Sequence, residues 1–132
     1  MDQQTLRKIL IVEDDLSQKP LWNSVISRFS NSTEIEWVVS SEQAKKLMAT
    51  SKNDSTPYDL IIVDMFLAGS DTGLDFLKSK EVRDMATKTI LVSAADKDSL
   101  ETHMKRESRN TKVIIKPLNI EKCTQALKEI LH

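Results

Sequence analysis

Six residues, each placed at the end of a short run of branched aliphatic residues, could do chemistry together. Glu13, Asp14 and Asp15 follow ILIV, Asp64 follows LIIV, Ser93 follows ILV and Lys116 follows VII. Clustered carboxylates raise one another's pKa unless positive charge sits among them. A divalent cation answers that need, and oxygen donors with room for water suit Mg²⁺, which takes one or two protein carboxylates together with phosphate oxygens. A carboxylate nucleophile, Mg²⁺, a hydroxyl donor and a lysine are the parts that phosphoryl transfer to an aspartate requires. The carboxylate attacks in line, the metal and lysine neutralise the equatorial oxygens, and the hydroxyl donates to one of them.

Such residues meet only if the elements between them bring the run ends together. Five apolar or β-branched runs, at 9–12, 35–39, 60–63, 89–92 and 113–115, recur along the chain. Four are continuous Ile/Leu/Val runs, as expected of parallel strands covered on both faces; the second, with Ile35, Glu36 and Trp37, is mixed and suits a sheet edge.

The segments between the runs read as helices. Leu21, Trp22, Val25, Ile26 and Phe29 repeat at helical spacing behind Pro20, which fits a first turn. Ser40 and Gln43 have the spacing of a capping box ahead of Ala44, Leu47 and Met48. Leu74 and Leu77 begin a third helix after Gly73. A fourth, over 96–108, has only Leu100 and Met104 as apolar anchors and is expected to be the most exposed. Asn119 can cap a last helix whose stripe is Ile120, Cys123, Ala126, Leu127, Ile130 and Leu131. The polar stretch 50–58 reads as a surface loop.

Alternation of five strands with five helices implies an α/β fold, a doubly wound parallel sheet. Function in such sheets sits outside the carboxyl ends of the strands, where the strand order reverses. If that order is 2-1-3-4-5, the first and third strands are neighbours, and the acidic residues after them share one cleft with Ser93 and Lys116.

Composition bounds the alternatives. A chain of 132 residues with a formal net charge of -1 suits one domain over 1–132 and lacks the basic footprint of a protein that coats nucleic acid or anionic membrane. Cys123 is the single cysteine, and MDQQTLRK has no apolar stretch of the signal-peptide kind. No apolar run approaches the roughly 18 residues of a membrane span. A cytoplasmic protein is expected.

The segments ILIVEDD, DLIIVDMFLAGSDTGLDFL, ILVSAAD and VIIKPL, in this order, resemble the receiver domain of two-component response regulators. The resemblance covers about 8–131 and is to a stand-alone receiver of the chemotaxis-regulator type, with a flavodoxin-like fold. It implies that Glu13 and Asp14 are the acidic pair that holds Mg²⁺, that Asp64 is the phosphoacceptor, and that the Phe66 backbone carbonyl completes the metal shell. It implies further that Ser93 supplies the hydroxyl, that Lys116 binds the phosphoryl group, and that the Lys116–Pro117 bond is cis. The implied partners are a sensor histidine kinase or histidine phosphotransfer protein and a downstream protein effector. The implied chemistry is limited to the domain's own phosphorylation and dephosphorylation. With no output domain after Leu131, the readout is expected to be a protein contact, without nucleic acid or membrane.

This chain departs from the family pattern at three places. Ala68 stands where Pro is usual, Gly73 comes one residue late, and Val113 occupies the position of the aromatic switch residue. A receiver-like module that binds without phosphorylation is therefore an alternative. A haloacid-dehalogenase-type phosphohydrolase would need a second acid two residues after Asp64, where Phe66 stands. Taken singly, an acid at a strand end is a turn former or cap, Ser93 a satisfied hydroxyl and Lys-Pro a common strand exit. The functional reading comes from the constellation. Cys123, Trp22 and Trp37 read as packing residues, Met65 and Phe66 as pocket walls, and the mixed-charge segment 105–109 as a solvated face. His103 reads as a solvated helix residue and His132 as a frayed terminus.

Overall fold

Uninterrupted Ile/Leu/Val runs put apolar side chains on both faces of a strand, so they are stable only in a sheet covered on both sides. The computed structural model describes residues 6–30, 32–53, 58–65, 76, 79, 88–94 and 111–131, with the backbone alone at 51–53. It contains that sheet. Strands β1 (Lys8–Val12), β2 (Glu34–Val38), β3 (Leu60–Asp64), β4 (Lys88–Ser93) and β5 (Thr111–Ile115) are all parallel, in the order β2-β1-β3-β4-β5. This is the expected doubly wound, flavodoxin-like order. Among the described residues there are three α-helices: α1 (Lys19–Ser27), α2 (Ser41–Asn53) and α3 (Ile120–Leu131). Of the helix expected after Gly73 only Phe76, in helical conformation, and Ser79 are described; the helix expected over 96–108 lies outside the described residues, as do His103, His132 and segment 105–109.

Alternation along each strand divides the core in two. Ile9, Ile11, Leu60, Ile62, Ile90, Val92 and Ile114 face Trp22, Val25 and Ile26 of α1 and Cys123, Ala126 and Leu127 of α3. Leu10, Val12, Ile61, Val63 and Leu91 face the other way, toward Ala44 and Met48 of α2 and the buried Phe76. Full burial of each large aliphatic side chain stabilises the fold by about 1.5–3 kcal/mol, so a strand with four such residues is held from both sides. Edge strand β2 is only half-buried, as its mixed composition implies.

The helix starts follow local chemistry. Pro20 sits in the first turn of α1. The Asn119 Oδ1 accepts the Lys122 N–H at 2.7 Å and caps α3. At α2, the Ser40 Oγ accepts the Gln43 N–H at 3.2 Å, but the Gln43 side chain reaches back to the Val39 N–H, at 3.0 Å, one residue beyond a standard capping box.

Several boundaries differ from the pattern reading. Strand β2 covers Glu34–Val38 instead of 35–39, because the Val39 N–H turns to Gln43 and leaves the sheet. Strands β4 and β5 begin earlier than their apolar runs, with Lys88 and with Thr111 and Lys112, polar residues that the ladder accepts at its entrance. Helix α2 runs to Asn53, into the stretch read as loop, since 50–53 contain neither Gly nor Pro and the Thr50 hydroxyl bonds back to the Lys46 carbonyl at 3.0 Å. Tyr58 is a second correction to that loop. It is buried, its ring lies 4.9 Å from the Lys8 ammonium, and its hydroxyl donates to Glu36 Oε2 at 3.1 Å. Lys8 also pairs with Glu36 at 2.9 Å, so one polar knot joins β1, β2 and the entrance to β3.

Candidate functional site

The carboxyl edge of the sheet is built by ladder hydrogen bonds that continue one step past the regular pairs. The Glu13 N–H donates to the Val38 carbonyl at 2.9 Å, the Met65 N–H to the Val92 carbonyl at 2.7 Å, and the Lys116 N–H to the Ser93 carbonyl at 2.8 Å. Each site residue thus leaves a strand end that is fixed by its neighbour. Asp64 is the last residue of β3 and pairs in register with Val92; Ser93 is the next residue of β4. The register of β1 and β3, with Val12 opposite Val63, brings Glu13 level with Asp64.

Side-chain geometry follows from that frame. Carboxylate oxygens of Glu13, Asp14 and Asp64 lie within 4.8 Å of one another; Asp14 is exposed, whereas Glu13 and Asp64 are each only 3% exposed. The Lys116 Nζ donates to Asp64 Oδ2 at 2.8 Å. Ser93 is fully buried beside this pair in the register. Lys116–Pro117 is cis, as the resemblance implies. The structure therefore brings together Glu13, Asp14, Asp64 and Lys116, and places Ser93 at the same sheet edge. Phe66 lies outside the described residues, as do Ala68 and Gly73.

The third acid of the EDD triplet does other work. The Asp15 carboxylate accepts the Ser17 N–H at 3.0 Å and the Ser17 hydroxyl at 2.6 Å, capping a 3₁₀ turn over Leu16–Gln18. Those bonds from Ser17 hold its pKa below the ordinary value. Its N–H in turn donates to Glu13 Oε2 at 3.1 Å.

Charge at the site is unbalanced. Burial pushes the Glu13 carboxyl up from 4.5 to about 8, helped by its hydrogen bond with Asp64 and the Asp64 charge. For Lys116, burial works against the ammonium, but the hydrogen bond and charge of Asp64 outweigh it and raise the pKa. A proton held on Glu13 offsets part of the crowded negative charge. A hard divalent cation would do so more fully, and the donor set fits one: three convergent carboxylates with one face open to water at Asp14.

Two contacts escaped the pattern reading. The Trp37 indole N–H donates to the Glu13 carbonyl at 2.9 Å, so Trp37 is more than a packing residue. The Lys122 Nζ donates to the Ile115 carbonyl at 3.2 Å and the Pro117 carbonyl at 3.0 Å, bracketing Lys116. Nothing in the periodicity signals either, because both depend on where a strand stops.

Residues 9–128 match the response regulator receiver domain family. No curated protein sequence matches the chain. Among solved structures, a two component response regulator from Cytophaga hutchinsonii superposes with TM-score 0.76 at 18% identity, covering 97% of this chain and 98% of that one. A CheY-like response regulator receiver domain protein from Methanospirillum hungatei gives TM-score 0.70 at 19% identity, covering 96% of this chain and 94% of the other. The phosphorylated cyanobacterial phytochrome response regulator RcpA gives 0.72 at 18%, covering 96% and 91%. These likenesses establish the shared fold, and the family match covers most of the sequence. The chain belongs to the response regulator receiver domain family, signalling domains of two-component systems.

Proposed function

We propose that this chain is a phosphorylation-dependent switch in which Asp64 accepts a phosphoryl group from a sensor histidine kinase or a histidine phosphotransfer protein. The observation that carries the reading is the buried Asp64 carboxylate at the sheet edge, 2.8 Å from the Lys116 ammonium and clustered with Glu13 and Asp14. An Asp64 oxygen attacks phosphorus, the phosphorus–nitrogen bond of the donor phosphohistidine breaks, and the imidazole leaves and regains a proton from water. The product is an acyl phosphate on Asp64.

Lys116 is positioned to pair with the phosphoryl oxygens as they replace the free carboxylate. Ser93 offers a hydroxyl donor on the neighbouring strand. Glu13, Asp14 and Asp64 would hold Mg²⁺, with the Phe66 backbone carbonyl added by the family resemblance; when bound, the ion neutralises charge on the transferring group. The chain acts only on its own phosphorylation and dephosphorylation, and we read 1–132 as one receiver domain, with its core at about 8–131, working in the cytoplasm.

A phosphoryl group adds about two negative charges. Drawing Ser93 toward it would move the chain that leaves β4, changing what a downstream protein effector meets. Val113, half-buried on β5 against the α2-side core, has no ring to rotate. That observation favours a second reading, a module that binds its partner without being phosphorylated.

Incubation with acetyl phosphate and MgCl₂ followed by intact mass separates the two. We expect a gain of one phosphoryl group on the wild type and none on Asp64→Asn. No gain on the folded wild type, or an equal gain on both, would sink the switch.

A further inference from the structure

We propose that Trp37 is the positioning residue of the acidic turn: its indole N–H holds the Glu13 backbone and thereby sets the affinity of the site for a divalent cation. The inference rests on the reading that Glu13, Asp14 and Asp64 hold Mg²⁺.

The need for such a residue follows from where β2 ends. Regular pairs between β1 and β2 run to Val12 and Val38, and the Glu13 N–H extends the ladder once more to the Val38 carbonyl. Beyond that point β2 leaves the sheet. The Val39 N–H goes to the Gln43 side chain and Ser40 caps α2, so the backbone there has turned toward a helix. The Glu13 carbonyl lies past the last regular pair, and the Trp37 indole N–H meets it at 2.9 Å.

Glu13 is consequently held at three points. Its N–H is fixed by Val38, its carbonyl by Trp37 and its carboxylate by the Asp15 N–H. The carbonyl of Glu13 belongs to the peptide that leads into Asp14, so the indole orients the link between the two acids. The ring is itself restrained. It packs half-buried against the core on the α1 side, and the Lys19 ammonium from the start of α1 lies 5.6 Å from its centroid. Groups that orient metal ligands through a hydrogen bond typically change affinity by 10–100-fold when removed. Because this bond acts on the backbone and not on a ligand atom, we expect the low end of that range.

The test uses the full ¹⁵N-labelled chain, whose two tryptophans give two indole resonances. Trp37→Phe keeps an apolar ring, removes the N–H and assigns the peaks. Addition of MgCl₂ to the wild type should move the Trp37 indole resonance in step with occupancy while that of Trp22 stays in place, a signature that a purely structural role would not produce. Calorimetry should then show Mg²⁺ bound about tenfold more weakly by folded Trp37→Phe. Equal affinity in wild type and folded Trp37→Phe would overturn the inference while leaving the metal reading intact. Absence of saturable Mg²⁺ binding by the wild type would overturn both. Should Trp37→Phe not fold, the wild-type indole decides alone: a shift that tracks occupancy supports the proposal, and an immobile resonance refutes it.

Discussion

Glu13 and Lys116 carry opposite burdens at the site. The folded protein holds the Glu13 carboxyl up at about 8, against an ordinary value of 4.5, mainly through burial. Between those values the native state binds a proton that the unfolded chain has released, so stability falls as pH rises through the window. In EDTA, the urea midpoint should therefore decline from pH 4.5 toward pH 8, and Glu13→Gln should flatten the decline. Mg²⁺ needs the ionised carboxylate, so its affinity should climb over the same window. Lys116 balances the cluster from the other side, 2.8 Å from Asp64. Lys116→Met removes the ammonium that pairs with Asp64 and, in the proposed mechanism, with the phosphoryl oxygens. Phosphorylation by acetyl phosphate, followed by intact mass against time, should slow by roughly 100-fold; an unchanged rate would remove Lys116 from the mechanism.

At the scale of elements, strand ends and helix caps decide where side chains point. The cap on α3 is a single short bond from the Lys122 N–H to Asn119. Asn119→Ala should cost about 1 kcal/mol in a urea denaturation. The sheet was readable because burial on both faces leaves an unmistakable mark: ILIV and LIIV have no polar residue to face water. Asp64, Ser93 and Lys116 were readable for the same reason, since each closes such a run. Trp37 and Lys122 were not, because their roles depend on β2 stopping at Val38 and on the path after Ile115, neither of which a hydropathy pattern encodes. The extra turn of α2 was hidden in the same way. Its residues 50–53 are polar, and polar residues serve an exposed helix end as well as a loop.

For the whole molecule, the two-sided core sets the rigidity of the site edge. Ile11 lies on the face covered by α1 and α3 and is fully buried. Ile11→Val should lower unfolding free energy by about 1 kcal/mol, with the ladder bonds at the carboxyl edge retained. Cation binding at the site should stabilise the entire fold through linkage, since the unfolded chain has no preformed cluster. The thermal midpoint should thus rise with MgCl₂ in the wild type and hardly respond in Asp14→Asn. In the proposed mechanism the carboxyl edge delivers one carboxylate, Asp64, to an incoming phosphoryl group. Borohydride reduces an acyl phosphate to the alcohol, so an aspartyl phosphate becomes homoserine at its own position. After incubation with acetyl phosphate and MgCl₂, reduction and peptide mass mapping should find homoserine at position 64; an unmodified position 64, or in its place homoserine at 14 or 15 or 5-hydroxynorvaline at Glu13, would overturn that assignment.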